Sequence, residues 1–258
     1  MNATARKENQ TMLWEIEEYW SKRAQSYSEE VRFEMEHENE RNWMDVLQQY
    51  LKGIPGNRVL DIGTGPGFFA IGLAKRGYQM TAVDYTWNML EEAKRNAGDV
   101  AQKIEFFQMD AQALEFDDAS FDAVVTRNLT WNLERPGDAY REWHRVLKKG
   151  GVLLNFDAGW YNYLFDDEKA VSFEADRKRV KDAQIKDFES YSESDKMEDI
   201  SRKLILSRCK RPETDIELLR RAGFKLIYTD EEIGEKVWDE TEKLNYGSRP
   251  MFMLRGVK

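Results

Sequence analysis

Three glycines at alternate positions, Gly63, Gly65 and Gly67, close the segment Val59-Leu60-Asp61-Ile62-Gly63-Thr64-Gly65-Pro66-Gly67, where an apolar run carrying one carboxylate gives way to a turn. Glycine tolerates positive φ and lets a ligand approach the backbone, and a helix that begins just after it offers unpaired N–H groups. The segment therefore reads as a cofactor cradle. A dinucleotide fingerprint runs G-x-G-x-x-G; counting from Gly63 puts Phe68 where the third glycine would stand, so the spacing here is G-x-G-x-G. Side chains for acid–base or nucleophilic chemistry are few. His144, within Trp143-His144-Arg145-Val146, falls in a helix away from the expected ligand edge and is expected at the surface, and His37 sits among glutamates. Nothing beside Cys209 supplies the base and orienting group that a thiol nucleophile needs.

The elements that must position the glycine turn follow from periodicity. Residues 1–28 carry Trp14, Ile16, Tyr19, Trp20 and Tyr27 at helix-compatible spacing, and a second helix is expected over about 30–52, where Trp43, Val46, Leu47, Tyr50 and Leu51 form one stripe. Lys52-Gly53-Ile54-Pro55-Gly56 stops it. From Asn57 to Phe156 short β-type runs alternate with helical ones, the pattern of a helix-covered parallel sheet. The strands expected are Arg58–Ile62, Gln79–Val83, Ile104–Gln108, Phe121–Thr126 and Val152–Phe156, with helices at about 67–76, 87–97 and 136–148. Lys148-Lys149-Gly150-Gly151 reads as the cap of the last helix. Residues 157–212 begin aromatic and continue as a charge-rich helical run, which reads as an inserted cap. A helix at Glu213–Ala222 and strands at Phe224–Thr229 and Pro250–Arg255 follow, Pro250 suggesting that the last strand starts at a sheet edge.

Composition narrows the function classes. The chain has 258 residues, 41% hydrophobic and 34% charged, and its 48 Asp and Glu against 39 Lys and Arg leave a formal net charge of -9. Nucleic-acid binding draws on clustered positive charge, so DNA and RNA are poor partners for this chain. No apolar run is long enough to suggest a membrane span and no signal-peptide pattern opens the chain, so no membrane association is expected. One cysteine and two histidines allow neither an intramolecular disulfide nor a structural zinc site, so no metal is expected and a reducing, cytoplasmic setting fits best.

The glycine turn is one of an ordered set of motifs. Asp61-Ile62-Gly63-Thr64-Gly65-Pro66-Gly67 resembles the first motif of class I S-adenosylmethionine-dependent methyltransferases, and Ala82-Val83-Asp84-Tyr85-Thr86 followed by Met89-Leu90 resembles the second. Gln108-Met109-Asp110-Ala111, Ser120-Phe121-Asp122 and Arg145-Val146-Leu147-Lys148-Lys149-Gly150-Gly151 are similar to the rest of the small-molecule, UbiE-like branch. The resemblance covers 57–157. It implies an α/β, doubly wound, Rossmann-like sheet of seven strands, the last antiparallel, in one domain over 1–258. Within that domain, 1–52 would be an N-terminal helical lid, 53–156 the cofactor-binding core, 157–212 the inserted cap and 213–258 the rest of the sheet. It also implies S-adenosyl-L-methionine as cofactor and S-adenosyl-L-homocysteine as product. Residue by residue, Gly63, Thr64, Gly65 and Gly67 would pass close to the methionine part, with Asp61 ordering the turn or receiving the amino group. Asp84, beside Tyr85, would bind the ribose hydroxyls, a role that suits a carboxylate facing a vicinal diol. Asp110 with the Ala111 N–H would recognise the adenine edge, Met89 would pack on the adenosine, and Arg127 and Asn128 would mark the methionine end.

The acceptor side is less determined. Arg127-Asn128-Leu129-Thr130-Trp131-Asn132 lacks the Asn/Asp-Pro-Pro-aromatic run expected for nucleobase or glutamine methylation. Tyr19, Tyr27, Trp131, Asn132, Trp160, Tyr161 and Tyr163 are the candidate pocket residues; aromatic walls suit a cationic group, and equally suit plain packing. Asp157 and Tyr27 are the candidates for a proton acceptor. The expected function is methyl transfer to a small-molecule acceptor. Two other readings stand beside it: methylation of a peptide or protein side chain, which an open groove would favour, and a non-catalytic cofactor-binding regulator. Acceptor atom and oligomeric state are open at this point.

Overall fold

The computed structural model describes residues 3–191 and 193–258, with side chains for 12–37, 39–191 and 193–258; the start of the expected lid and position 192 of the expected cap lie outside them. Helices α1 (Ala3–Glu36) and α2 (Glu38–Leu51) open the chain. Then come β1 (Arg58–Ile62), α3 (Phe68–Lys75), β2 (Gln79–Asp84), α4 (Trp87–Ala97), β3 (Ile104–Gln108), β4 (Phe121–Arg127), α5 (Pro136–Val146) and β5 (Leu147–Asp157). Helices α6 (Asp167–Asp182) and α7 (Ser194–Ser201) form the inserted segment, and α8 (Glu213–Ala222), β6 (Lys225–Asp230), α9 (Ile233–Val237), α10 (Glu240–Tyr246) and β7 (Phe252–Val257) complete the order.

The strands make one seven-stranded sheet in the order β3-β2-β1-β4-β5-β7-β6. Strands β1 to β5 pair in parallel, and β7 runs antiparallel to both β5 and β6. Strands β1, β2, β4, β5 and β7 are buried on both faces over most of their length, which is why they read as nearly continuous apolar runs, while β3 and β6 are largely exposed. Alternation assigns each residue a side: Val59, Val125 and Leu154 join α2, α3 and α9 in one core, while Leu60, Val124 and Leu153 meet Tyr140 and Trp143 of α5 and Leu219 of α8 in the other. The chain order reverses direction between β1 and β4, and their carboxyl ends are where a doubly wound sheet opens its ligand crevice.

Several expectations need correction. The first helix does not stop near 28 but continues to Glu36, and the break before α2 is His37, whose backbone is extended. No glycine or proline interrupts 28–36, and the buried stripe Ile16, Tyr19, Arg23, Ala24, Ser28, Val31 runs on through it with two polar members that hide it from an apolar count. Helix α5 ends at Val146, and Lys148-Lys149-Gly150-Gly151 lies inside β5 instead of capping the helix. The cause is pairing with the far end of β7: the Gly150 N–H donates to the Lys258 carbonyl at 3.0 Å and the Lys258 N–H returns to Gly151 at 3.0 Å. The closing strand starts at Phe252, two residues past Pro250, and is internal; the edges of the sheet are β3 and β6. The charge-rich run after 166 is two helices separated by a loop, the first capped by the Asp166 carboxylate, which accepts from the Glu168 and Lys169 N–H groups.

Candidate functional site

Strand β1 delivers Asp61 to the base of the glycine turn, where its carboxylate accepts from Thr64 Oγ1 at 2.7 Å and from the Ala70 N–H at 3.0 Å. Those bonds tie the turn to the first turn of α3. Burial pushes the Asp61 carboxyl up to about 7, against the hydrogen bonds that favour its charge. The Gly63 and Thr64 N–H groups both donate to the Val83 carbonyl, and Gly63, Gly65 and Gly67 all have positive φ. A Cβ on Gly63 would stand 2.8 Å from a Leu129 methyl, so the bare backbone is what lets the loop after β4 close over the turn.

Strand β2 ends in Asp84, and this carboxylate bridges two elements: Oδ2 accepts from the Gly65 N–H at 2.9 Å and Oδ1 from the Thr86 N–H at 2.8 Å. Burial raises it to about 6. Asp110, after β3, accepts from the backbone and side-chain nitrogens of Gln112 at 2.9 and 3.0 Å, and its other oxygen lies 3.8 Å from Arg135. Around these groups opens a solvent-connected cleft of about 110 Å³.

The cleft gathers much of what the sequence marked. Gly63, Gly65, Asp84, Tyr85, Met89, Asp110, Ala111, Arg127, Asn128, Asn132 and Tyr27 all line it. Asp61 and Thr64 face a smaller adjoining cavity instead, together with Tyr27, Gly63, Gly65 and Arg127. Gly67 faces neither cavity: a Cβ there would meet Ile71 at 2.9 Å and Ala93 at 3.2 Å, so its place is in the packing of α3 and α4 behind the turn. Arg127 spans from the cleft to α1, pairing with Glu34 at 2.7 Å and resting 4.2 Å from the Phe68 ring. Burial works against its charge, and Glu34 more than restores it, holding the guanidinium above its ordinary range.

The aromatic pocket candidates divide the other way. Tyr19, Trp131 and Tyr161 are buried in a cluster with Met197, Ile200 and Leu204 that joins α1 to the inserted segment. Tyr163 stacks on Phe173 at 4.0 Å and donates to Glu198, and the Trp160 ring meets Tyr246 edge-on while its Nε1 donates to Asp157. These five pack and do not line the cleft. Asp157 is corrected too. Fully buried, it accepts from Thr130 Oγ1, the Trp131 and Ala158 N–H groups, Trp160 Nε1 and Arg211 Nη2, which leaves no lone pair for a proton in transit. Tyr27 keeps a cleft position, 3.7 Å from the Cβ site of Gly65, but burial raises its pKa and holds its proton on. His144 is half-buried against Phe224 and Gly223, not a surface group.

Sequence reasoning named a helical lid with Tyr19 and Tyr27 but missed the residues of α1 that line the cleft beside Tyr27. Leu13, Ile16 and Trp20 bring α1 across the mouth of the cleft, and Leu129, Leu133, Glu134 and Gln112 complete the lining. The signal was present in the spacing 13, 16, 20, 27, one face of a helix. Burial raises the Glu134 carboxyl, with Arg135 opposing. Among the described residues no three His, Cys, Asp or Glu are grouped to hold a metal, and no helix is long and apolar enough to cross a membrane.

The chain is similar to known proteins over part of its length. Residues 60–155 match the family model described as a methyltransferase domain. Over 114 residues the chain is 37% identical to a demethylmenaquinone methyltransferase of Renibacterium salmoninarum, covering 44% of this chain and 46% of that protein. It is 31% identical over 125 residues to a ubiquinone biosynthesis O-methyltransferase of Alkalilimnicola ehrlichii, covering 47% and 51%. The matched segment thus spans about half the length of these curated relatives. Among solved structures, the phosphoethanolamine N-methyltransferase 2 of Haemonchus contortus, bound to phosphomonomethylethanolamine and S-adenosylhomocysteine, superposes with a TM-score of 0.57 at 21% identity, over 84% of this chain and 52% of that one. Strand order, glycine turn and motif match converge on residues 60–155, which are similar to a methyltransferase domain and lie in a sheet of the same fold.

Proposed function

We propose that the protein transfers a methyl group from S-adenosyl-L-methionine to a small-molecule acceptor, in a cytoplasmic setting. The observation that carries this reading is Asp84: a buried carboxylate at the carboxyl end of β2, held upright by the Gly65 and Thr86 N–H groups and facing the cleft beside the glycine turn. Each of its oxygens keeps acceptor capacity for a vicinal diol. The rest of the lining fits the same cofactor. Asp110 and Ala111 stand beyond Met89 for the base, and the adjoining cavity of Asp61, Gly63 and Gly65 offers a carboxylate and glycine backbone to an amino-acid end. When bound, the cofactor supplies an electrophilic methyl with its own leaving group.

The chain's own residues bind, orient and exclude water. Helix α1, as a lid, covers the cleft with Leu13, Ile16, Trp20 and Tyr27 and is anchored by the Glu34–Arg127 pair. A covered cleft supports a small acceptor over a peptide laid in an open groove. The test is incubation with methyl-labelled S-adenosylmethionine and a deproteinised metabolite extract, read by mass spectrometry, with Asp84→Ala as control. A labelled low-mass product that disappears in the variant is expected; bound cofactor with label only on protein would overturn the small-molecule reading.

A further inference from the structure

From the end of the inserted segment one buried arginine reaches back to the loop that follows β4. The Arg211 side chain is 1% exposed and stands between the carboxylates of Asp157 and Asp215, both fully buried. Its guanidinium fork directs its donors to three stretches of chain. Nε and Nη2 donate to Asp215 of α8 at 2.7 and 2.8 Å, and Nη1 donates to the Ala158 carbonyl just past β5 at 2.8 Å. Nη2 also reaches Thr130 Oγ1 at 2.6 Å and Asp157 Oδ2 at 3.2 Å. The chain leading into Arg211 is itself tied down, because Asn162 Nδ2 donates to the carbonyls of Leu206, Ser207 and Cys209 at 3.3, 2.7 and 3.1 Å. Apolar residues of the same volume often stabilise a core as well as a buried ion network does; what a fully bonded network can add is a single arrangement of the chains it joins.

Thr130 is where that network meets the cleft. Its hydroxyl accepts from Arg211 and donates to Asp157 Oδ2, and the same oxygen accepts from the Trp131 N–H at 3.0 Å. The next two N–H groups close a tight turn on it, Asn132 to the Leu129 carbonyl at 3.0 Å and Leu133 to the Thr130 carbonyl at 3.2 Å. Asn132 and Leu133 line the cleft. Gly63, Gly65, Asp84 and Asp110 line it as well, but they stand at the ends of β1, β2 and β3, and none of the Arg211 bonds reaches them. We infer that Arg211 is a positioning residue for the acceptor: through Thr130 and Asp157 it fixes the turn that carries Asn132 and Leu133, and so sets the part of the cleft that the cofactor-binding strands do not supply. Holding that wall in one place before the acceptor arrives lowers the cost of aligning it. The inference rests on the methyltransferase reading, which makes this wall the acceptor's.

Hydrogen exchange on the full chain, read by mass spectrometry, separates positioning from plain support of the fold. In Arg211→Lys, which keeps the charge and loses the fork, the Trp131, Asn132 and Leu133 amides should exchange about tenfold faster than in the wild type. The Gly63 and Thr64 amides, bonded to the Val83 carbonyl, should stay within about twofold. Thr130→Val should reproduce this loop-only change, and Thr130→Ser, which keeps the hydroxyl, should restore the wild-type pattern; that pair stands if Arg211→Lys fails to fold. With methyl-labelled S-adenosylmethionine and serial dilutions of a metabolite extract, Arg211→Lys and Thr130→Val should need about fivefold more extract for half-maximal rate, with the maximal rate and S-adenosylhomocysteine affinity within about twofold of wild type. Exchange that quickens alike at the loop and the glycine turn, a Thr130→Val variant that matches Thr130→Ser, or an unchanged extract requirement in both variants would each overturn the inference. Wild-type protein that binds no S-adenosylhomocysteine, or labels nothing in the extract, would instead sink the reading on which the inference rests, and the exchange pattern would still decide whether Arg211 sets the loop.

Discussion

Asp84 does two things with one carboxylate: it pins the glycine turn through Gly65 and faces the cleft beside it. Replacing it with alanine removes charge-assisted bonds worth roughly 1.5–3 kcal/mol each, so affinity for S-adenosylhomocysteine should fall at least tenfold by calorimetry. Its pKa gives the pH dependence. Burial raises the group to about 6, so it gains a proton as pH falls through that value and loses acceptor strength. Affinity should decline from pH 8 toward pH 5, and Asp84→Asn should remove the part of the slope centred near pH 6 while leaving the part that Asp61 sets near 7. Asp157 makes the opposite case. It is buried with Arg211 at 3.2 Å, and removing one member of such a pair leaves a charge without its partner, a cost of about 3–5 kcal/mol that Asp215 reduces by remaining in place. Asp157→Ala should therefore lower the melting temperature by several degrees, and a variant with unchanged stability but abolished turnover would restore Asp157 as a proton acceptor.

At the scale of elements, the strand–turn–helix of β1 and α3 was legible because chemistry and geometry ask for the same residues. Gly67, with φ of 96° and Ile71 2.9 Å from its Cβ position, has no room for a side chain and no conformation for one. Gly67→Ala should destabilise the fold by about 1–3 kcal/mol in urea titration through this strain. The five parallel strands are legible because β-type runs, turns and helices alternate with clear punctuation between 57 and 156, whereas the count of seven rests on the family resemblance. Helix α1 reads short in the sequence because Arg23 and Ser28 occupy its buried stripe; Arg23 is bound to the face of Tyr191 at 4.3 Å, a partner far along the chain that no local pattern announces. The aromatic residues after 157 were ambiguous because composition does not say whether a ring faces a ligand or another ring, and here Trp131 faces Tyr161 at 5.0 Å. The edge strand β6 carries its own strain at Leu226, 79% exposed with φ of 47°, beside a register shift. Leu226→Gly should stabilise by about 0.5–1 kcal/mol, read as a melting-temperature rise of roughly 2 °C.

Over the whole molecule, three buried carboxyls share one consequence. Burial raises Asp61 to about 7, Asp84 to about 6 and Glu242 to about 8, so between the ordinary carboxyl range and those values the folded chain holds protons that the unfolded chain has released. Stability then falls as pH rises across that window. The melting temperature of the ligand-free protein should be highest near pH 5 and several degrees lower at pH 8.5, and a curve rising through the same interval would show that these groups are not shifted in the sense their burial demands. The sheet order bears on how the molecule is made. Strand β7 lies between β5 and β6, and β6 has no other neighbour in the sheet. On the ribosome, β6 emerges first and finds nothing to pair with for the seconds needed to add the intervening residues at roughly 5–20 per second. Strands β1 to β5 and the glycine turn have all their mutual partners by then. The nascent chain can thus assemble the cofactor half of its sheet while the outer strand, with its apolar Leu226 and Tyr228, waits on the last piece to be threaded in beside it.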